Sequence, residues 1–189
     1  MLGHSVYSGG AAPGALTVHM PTWPSKGASD EMKSQPRLNR ERAKELLAEV
    51  DLLVSRAQPP SALRKSVVQL LNLEPTYNWV GIYLLKGNEL RLDSWSGPAP
   101  TTHTSIPLGK GICGFAAKSG RTEIVSDVSK DPRYLQCFAS TRSEITVPII
   151  HDGKVVAEVD IDGDAVNAHS SVDREFLEAL AAKISKFCA

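Results

Sequence analysis

Two apolar runs in the C-terminal half, EITVPII and KVVAEVDID, are joined by His151-Asp152-Gly153. Both runs are rich in β-branched residues, and Asp-Gly between two such runs is a strong signal for a β-hairpin. NWVGIYLL and ELRLDSW, joined by Lys86-Gly87-Asn88, predict a second hairpin. The chain is therefore expected to build an antiparallel sheet, and one face of that sheet needs a covering layer.

Helical patterns flank these strands and can supply that layer. Apolar residues recur every three or four positions from 43 to 54, Asn39 precedes them as a possible N-cap, and Pro59-Pro60 ends the pattern. A second helix is predicted from about Ser61. A last helix is predicted from about Ser171 to Phe187, with Ser171 as its cap. The order predicts an α/β fold of the α+β type: a central, mostly antiparallel sheet with N- and C-terminal helices on one face.

Charge limits the classes of partner. Lys and Arg together number 21, as do Asp and Glu, so the formal net charge is +0. A nucleic-acid binder needs clustered positive charge to neutralise phosphates, and an anionic membrane surface attracts the same clusters. No apolar run reaches the roughly 18 residues that span a bilayer. We therefore expect neither a nucleic-acid nor a membrane partner.

The ends of the chain differ in composition from its middle. Residues 1–36 are rich in Gly, Ser and Pro and lack periodicity, which predicts a disordered N-terminal tail before one domain at 37–189. The N-terminus lacks the basic and apolar regions of a secretory signal. Three cysteines, an odd number, do not make a disulfide scaffold. These features predict a cytoplasmic protein, in which a disulfide would be catalytic or redox-sensing.

The three cysteines lie in different contexts. Cys113 stands in GKGICG, which matches G-x-G-x-x-G formally but lacks the preceding strand and long helix of a dinucleotide site, so no cofactor is predicted. A helix N-terminus lowers the pKa of a thiol, which predicts an accessible, partly ionised Cys113. Cys137 lies in a long polar loop, where a buried apolar filler is unexpected, and is interpreted as functional. Cys188 is interpreted as an incidental cysteine of a frayed tail.

Three carboxylates and two aromatic rings are further candidates. Asp160 and Asp162 share one face of a strand, and Glu144 opens the strand before it. Converging carboxylates raise one another's pKa and can hold a proton at neutral pH; the alternative is a solvated strand end. Trp79 and Tyr83 also share one face, and the pattern alone favours ordinary aromatic core. No CxxC or HExxH motif occurs, so no metal site is predicted.

The motifs NWVGIYLL, IPLGKGICGFAA, EIVSDV, SEITVPI and VDID, in this order, resemble a GAF domain, and specifically the free methionine-(R)-sulfoxide reductase family. The resemblance covers residues 40 to 187. It implies a GAF domain at 37–189, with a loop-covered small-molecule pocket on the sheet face opposite the helices. In that pocket Trp79 and Tyr83 would form an aromatic wall, and Glu144, Asp160 and Asp162 an acidic cluster facing the sulfoxide oxygen.

The resemblance also implies a reaction: reduction of free L-methionine-(R)-sulfoxide by a cysteine thiol. Cys137 would be the nucleophile and Cys113 the resolving thiol, although the helix-terminus argument could reverse these roles. The cycle would pass through a sulfenic acid and an intramolecular disulfide, recycled by thioredoxin. A homodimer is expected, since dimers are common among GAF domains.

Three positions depart from the family pattern. His103 stands about where members usually carry a third cysteine, Phe138 follows the loop cysteine in place of Asp, and Glu158 is a charge at an apolar position. These departures keep two alternatives open. One is a non-catalytic GAF sensor for a small ligand. The other is a thiol redox sensor that uses Cys113 and Cys137 without a substrate.

Overall fold

The computed structural model describes residues 37–189, so the tail predicted over 1–36 lies outside the described residues. These residues form one sheet and four α-helices. The helices are α1 (Arg40–Ser55), α2 (Pro60–Leu71), α3 (Gly111–Ser119) and α4 (Ser171–Ile184). The strands are β1 (Trp79–Lys86), β2 (Glu89–Ser96), β3 (Ser105–Pro107), β4 (Glu123–Val125), β5 (Ser143–His151) and β6 (Lys154–Gly163). Short 3-10 turns occupy Val128–Lys130 and Ser185–Phe187.

The sheet has the strand order β3-β2-β1-β6-β5-β4, and every neighbouring pair is antiparallel. Both predicted hairpins are present, as β1–β2 and β5–β6. In the second hairpin Asp152 has φ 48° and Gly153 has φ 73°, the positive values that a tight two-residue turn requires. The two hairpins meet where β1 pairs with β6, so the centre of the sheet combines strands that are far apart in sequence.

Helices α1, α2 and α4 cover one face of the sheet and form the main core with it. Alternate residues of β1, β5 and β6 supply the sheet side of this core: Val80, Ile82, Ile145, Val147, Val159 and Ile161. Each is at most 1% exposed, and burying a side chain of this size contributes roughly 1.5–3 kcal/mol. The predicted α+β architecture, with the terminal helices on one face, is confirmed.

Helix caps agree with the sequence in one case and differ in another. Asn39 caps α1 as predicted, because its side chain accepts hydrogen bonds from the N–H groups of Glu41 and Arg42. The cap of α4 is Ser170, not Ser171. The reason is a reciprocal capping box: Asp173, three residues after Ser170, accepts the Ser170 N–H at 2.7 Å.

Cys188 is not in a frayed tail, so that prediction was wrong. The thiol is 3% exposed and belongs to the main core, and burial raises its pKa to about 11. Arg64 holds the end of the chain in place by donating to the carbonyl of Phe187, while its guanidinium is paired with Asp93 at 2.7 Å. Within residues 37–189, no helix has the length and apolar character needed to cross a membrane.

Candidate functional site: an acidic pocket with two thiols

The sheet face opposite the three covering helices is polar at its centre. Because alternate residues of a strand share a face, the register of β1, β6 and β5 gathers their remaining side chains on one surface. The cross-strand pairs on this surface are Trp79–Asp162, Gly81–Asp160, Tyr83–Glu158, Glu144–Asp162 and Thr146–Asp160. Helix α3 and the loops around residues 97–104 and 131–142 contribute further residues from above.

Four carboxyl groups of this surface are withdrawn from solvent. Glu144, Glu158, Asp160 and Asp162 are between 0% and 4% exposed. The hydroxyl of Thr146 donates to Glu144 at 3.2 Å and lies 3.4 Å from Asp160, so it connects two of the acids. Both oxygens of Glu158 and Oδ2 of Asp162 have no hydrogen-bond partner among residues 37–189. Such a surface is short of donors, which a ligand or protons on the acids can supply.

The acids therefore hold protons more strongly than ordinary carboxyls do. Burial, followed by repulsion from neighbouring carboxylates, raises the pKa of Glu144, Glu158 and Asp162 well above the usual range. Burial also raises the pKa of Asp160, to about 6. An acid that is protonated near neutral pH can donate a proton to a bound oxygen.

Cys113 lies at the start of α3 and is buried among these acids. Its Sγ donates to Oε1 of Glu144 at 3.5 Å. Burial, then the carboxylates of Asp160 and Glu158, raise the pKa of the thiol well above its ordinary value. The accessible, partly ionised Cys113 predicted from the helix N-terminus is therefore wrong. A helix terminus contributes about 0.3–1 kcal/mol, and burial beside several acids outweighs it.

Cys137 lies in the loop that covers this acidic surface and is half-buried. Its Sγ is 3.2 Å from Nδ1 of His103, a residue of the loop between β2 and β3. Burial and the carboxylates of β5 and β6 raise the pKa of this thiol as well. The structure thus sets the two thiols in different surroundings: Cys113 contacts a carboxyl group, and Cys137 contacts an imidazole.

The aromatic residues of β1 form a wall on the same face rather than part of the helix-covered core. Trp79 and Tyr83 are at most 2% exposed, and their ring centroids are 6.5 Å apart. Trp79 is stacked on Trp95 at 6.4 Å and contacts Phe138 at 6.0 Å. Phe138 therefore attaches the covering loop to the wall, which gives this departure from the family pattern a structural reason.

Two glycines make room for the indole of Trp79. A Cβ added at Gly81 would lie 2.5 Å from the Trp79 ring, and one added at Gly97 would lie 2.5 Å from its Cδ1. No real Cβ tolerates such a distance, so both positions require glycine for close approach. The indole N–H donates to the carbonyl of Ala99 at 3.2 Å, which fixes the ring direction.

All seven candidates named from the sequence lie on or against this one surface. Sequence reasoning missed Thr146 as a member and noted Glu158 only as an unusual charge. Alternate residues of a strand share a face, so Thr146, two residues after Glu144, and Glu158, two residues before Asp160, could have been assigned to this surface from the sequence. His103 carries no such signal, because it lies in an irregular loop and meets Cys137 only through the fold.

The cluster also has the spacing of a small cation site. One ligand atom each from Cys113, Glu144 and Asp160 lies within 4.8 Å of the other two. No metal site was predicted, since local spacing motifs do not detect ligands drawn from a helix and two strands. A thiolate with two carboxylates suits a borderline-soft divalent ion such as Zn²⁺.

Comparisons with known proteins agree with this geometry. The GAF domain model matches residues 61–186. Free methionine-R-sulfoxide reductase of Saccharomyces cerevisiae is 43% identical over 115 residues, a stretch that spans 59% of this chain and 63% of the yeast protein. The chain thus covers less than two thirds of that relative.

Two solved structures match over most of their length. Type II free methionine-R-sulfoxide reductase from Thermoplasma acidophilum has a TM-score of 0.67 and 35% identity, covering 68% of this chain and 92% of that one. Free methionine-R-sulfoxide reductase from Neisseria meningitidis, in complex with its substrate, has a TM-score of 0.74 and 28% identity, covering 82% and 94%. This chain therefore belongs to the GAF domain family, and within that family it is a relative of the free methionine-R-sulfoxide reductases.

Proposed function

We propose that the chain is an enzyme that reduces free L-methionine-(R)-sulfoxide to methionine with a cysteine thiol. The observation that carries the proposal is one surface that holds two thiols, four buried acids with raised pKa values and an aromatic wall. Relatives of this chain are free methionine-R-sulfoxide reductases, one of them solved with its substrate.

The pocket suits a small zwitterion with an apolar arm. The methyl and methylene groups of the substrate would lie against Trp79 and Tyr83, whose faces provide apolar surface. The ammonium would find acceptors in the unpartnered carboxyl oxygens of Glu158 and Asp162. A peptide-bound sulfoxide has no free ammonium or carboxylate, and the loop over the surface restricts its entry. Selectivity for the free amino acid follows from these two features.

In the chemical step the thiolate of Cys137 attacks the sulfoxide sulfur. This attack forms an S–S bond, and a protonated carboxyl of the Glu144, Asp160 and Asp162 cluster transfers its proton to the sulfoxide oxygen. The oxygen then moves to Sγ of Cys137 as the S–O and S–S bonds to the methionine sulfur break, and the electron pair of the S–S bond returns to that sulfur. Methionine leaves, and Cys137 remains as a sulfenic acid. The thiol of Cys113 then displaces water from that sulfenic acid and forms a disulfide.

The assignment of Cys137 as nucleophile is supported by its surroundings. It is the more exposed of the two pocket thiols and contacts a base, whereas Cys113 is deeply buried and contacts an acid. A thiol surrounded by acids ionises with difficulty and is a weak nucleophile. Cys113 is better suited to the resolving step, in which Glu144, the acceptor of its S–H, can take the proton as Sγ attacks the sulfenic acid. We further propose that thioredoxin is the reductant that regenerates the thiols, and that the protein is a cytoplasmic homodimer.

The test is NADPH consumption with thioredoxin and thioredoxin reductase, with the free (R)-sulfoxide, the (S) epimer and a peptide-bound sulfoxide offered in turn. We expect consumption with the free (R) form alone. Cys137→Ser should abolish it, while Cys188→Ser, a matched change at a thiol in the helix-covered core, should retain it. Cys113→Ser should release one methionine per chain and then stop.

Each other outcome points elsewhere. Full activity of Cys137→Ser would reject Cys137 as the nucleophile. If the further substitution Cys113→Ser then abolished that activity, the roles of the two cysteines would be reversed. Saturable binding of the free sulfoxide with no methionine release would favour the ligand-sensor alternative. Disulfide formation with peroxide, without any binding of sulfoxide, would favour the redox-sensor alternative.

A further inference from the structure

We propose that His103 is the base that removes the proton from Cys137. The proposal rests on the proposed function, because it names a further catalytic residue for that reaction. The observation is the 3.2 Å contact between Nδ1 of His103 and Sγ of Cys137, formed by two loops that are 34 residues apart in sequence. At this distance an unprotonated imidazole nitrogen accepts a hydrogen bond from a thiol.

The main chain holds His103 in this position. Its carbonyl accepts the hydroxyl of Tyr83 at 3.0 Å, and its N–H donates to Oγ1 of Thr101 at 3.1 Å. Tyr83 and Thr101 are themselves buried. The Tyr83 bond therefore ties the backbone of His103 to the aromatic wall, and the bond to Thr101, two residues earlier, holds the turn of its own loop.

Most of the surroundings of Cys137 oppose its ionisation, with the hydroxyl of Thr101 acting in the opposite direction, so a base would assist the reaction. The titratable groups that act on this thiol come from four elements and from its own loop: Tyr83, Cys113, Glu144, Asp160, Asp162 and Tyr134. All of them are neutral or negative, so none favours a thiolate. An imidazole that takes the proton becomes a cation, and it stabilises the thiolate by charge as well as by proton removal.

The protons released and taken up during the oxygen-transfer step are equal in number. The S–H bond of Cys137 breaks, its electron pair stays on Sγ, and the proton forms a new N–H bond at Nδ1 of His103. After oxygen transfer the cluster has lost one proton to the sulfenic acid, and the imidazolium holds one. Return of that proton to the carboxylate restores both groups, so no outside acid or base is consumed.

The experiment uses alkylation rather than turnover. In a Cys113→Ser, Cys188→Ser background, Cys137 is the sole thiol of the chain. The rate of its reaction with iodoacetamide is measured from pH 5 to pH 10, with His103 intact and with His103→Gln, which keeps polarity and approximate size but cannot take a proton. His151→Gln, the same change at a histidine of the β5–β6 turn, is the matched control.

We expect His103→Gln to slow alkylation near pH 7 by about tenfold or more, and to delay the rise of the rate to higher pH. His151→Gln should change neither. In turnover, His103→Gln should lower kcat with KM little changed, and its activity should recover as pH rises. The proposal would be overturned if the protein with His103 intact and the His103→Gln variant gave the same alkylation rate at every pH. Near-UV circular dichroism must show that both proteins are folded.

The two proposals fail separately. Reduction of the sulfoxide together with coincident alkylation profiles would reject His103 as the base and retain the reductase. A slowed alkylation profile in His103→Gln, with no sulfoxide reduction by the unaltered chain, would reject the reductase and retain the base. In that case the pair would activate Cys137 for the redox-sensor alternative.

Discussion

Asp160→Asn should make the protein more stable at alkaline pH. Burial raises the pKa of Asp160 from its ordinary 3.8 to about 6 in the folded state. Between these two values the folded state binds more protons than the unfolded state, so this residue lowers stability as pH rises through the window. The full effect, 2.303RT times the difference of about two pKa units, is about 3 kcal/mol above pH 7 and about 1 kcal/mol at pH 4.5. Asn resembles the protonated acid and avoids the loss.

The assay is urea unfolding of both proteins at pH 4.5 and pH 8, followed by tryptophan fluorescence. The difference in free energy of unfolding should grow by at least about 2 kcal/mol in favour of Asp160→Asn between the two pH values, because the substitution also removes repulsion from Glu144 and Asp162. His169, whose pKa burial lowers to about 4, acts in the opposite direction in both proteins and cancels in the difference. Asp152→Asn, at a side chain that is 92% exposed, controls for the loss of one charge. A difference that stays constant with pH would refute the reasoning.

Two further predictions concern the wall and the cluster. Gly97→Ala should displace the indole of Trp79, because the new methyl group would lie 2.5 Å from it. We expect an altered near-UV circular dichroism spectrum and weaker binding of the sulfoxide by calorimetry. An unchanged spectrum would contradict this prediction. Zn²⁺ should inhibit turnover by binding to Cys113, Glu144 and Asp160, and EDTA should restore the activity. Inhibition should be weaker at low pH, because these ligands must lose protons before they bind the metal. Equal inhibition of the single-turnover methionine release of Cys113→Ser would show that zinc acts elsewhere.

The local signals of the sequence are sufficient to predict the two hairpins, although not the pairing of β1 with β6 that joins them. Asp152-Gly153 and the alternating runs on either side of it fix a hairpin through turn geometry and side-chain period, both of which depend on neighbouring residues alone. The same alternation placed Asp160 and Asp162 on one face. It could also have placed Thr146 and Glu158 there, had the period been followed to the ends of the strands.

Features that depend on distant contacts were not accessible in this way. Cys113 has the local context of an activated thiol, but the acids that surround it come from β5 and β6 and reverse the expected shift of its pKa. Cys188 was placed in a frayed end because the sequence does not show that Arg64 anchors the carbonyl beside it. The contact of His103 with Cys137 likewise depends on how two irregular loops meet over the sheet.

The two faces of the central strands can evolve separately. Val159 and Ile161 pack in the helix-covered core, while Glu158, Asp160 and Asp162, the residues between and beside them, face the candidate site. Substitutions at the alternate polar positions of β5 and β6 can therefore occur without a change in the helix-covered core. A descendant of this chain could change the chemistry of the acidic surface through a few substitutions and still inherit the apolar packing that joins its sheet to its helices.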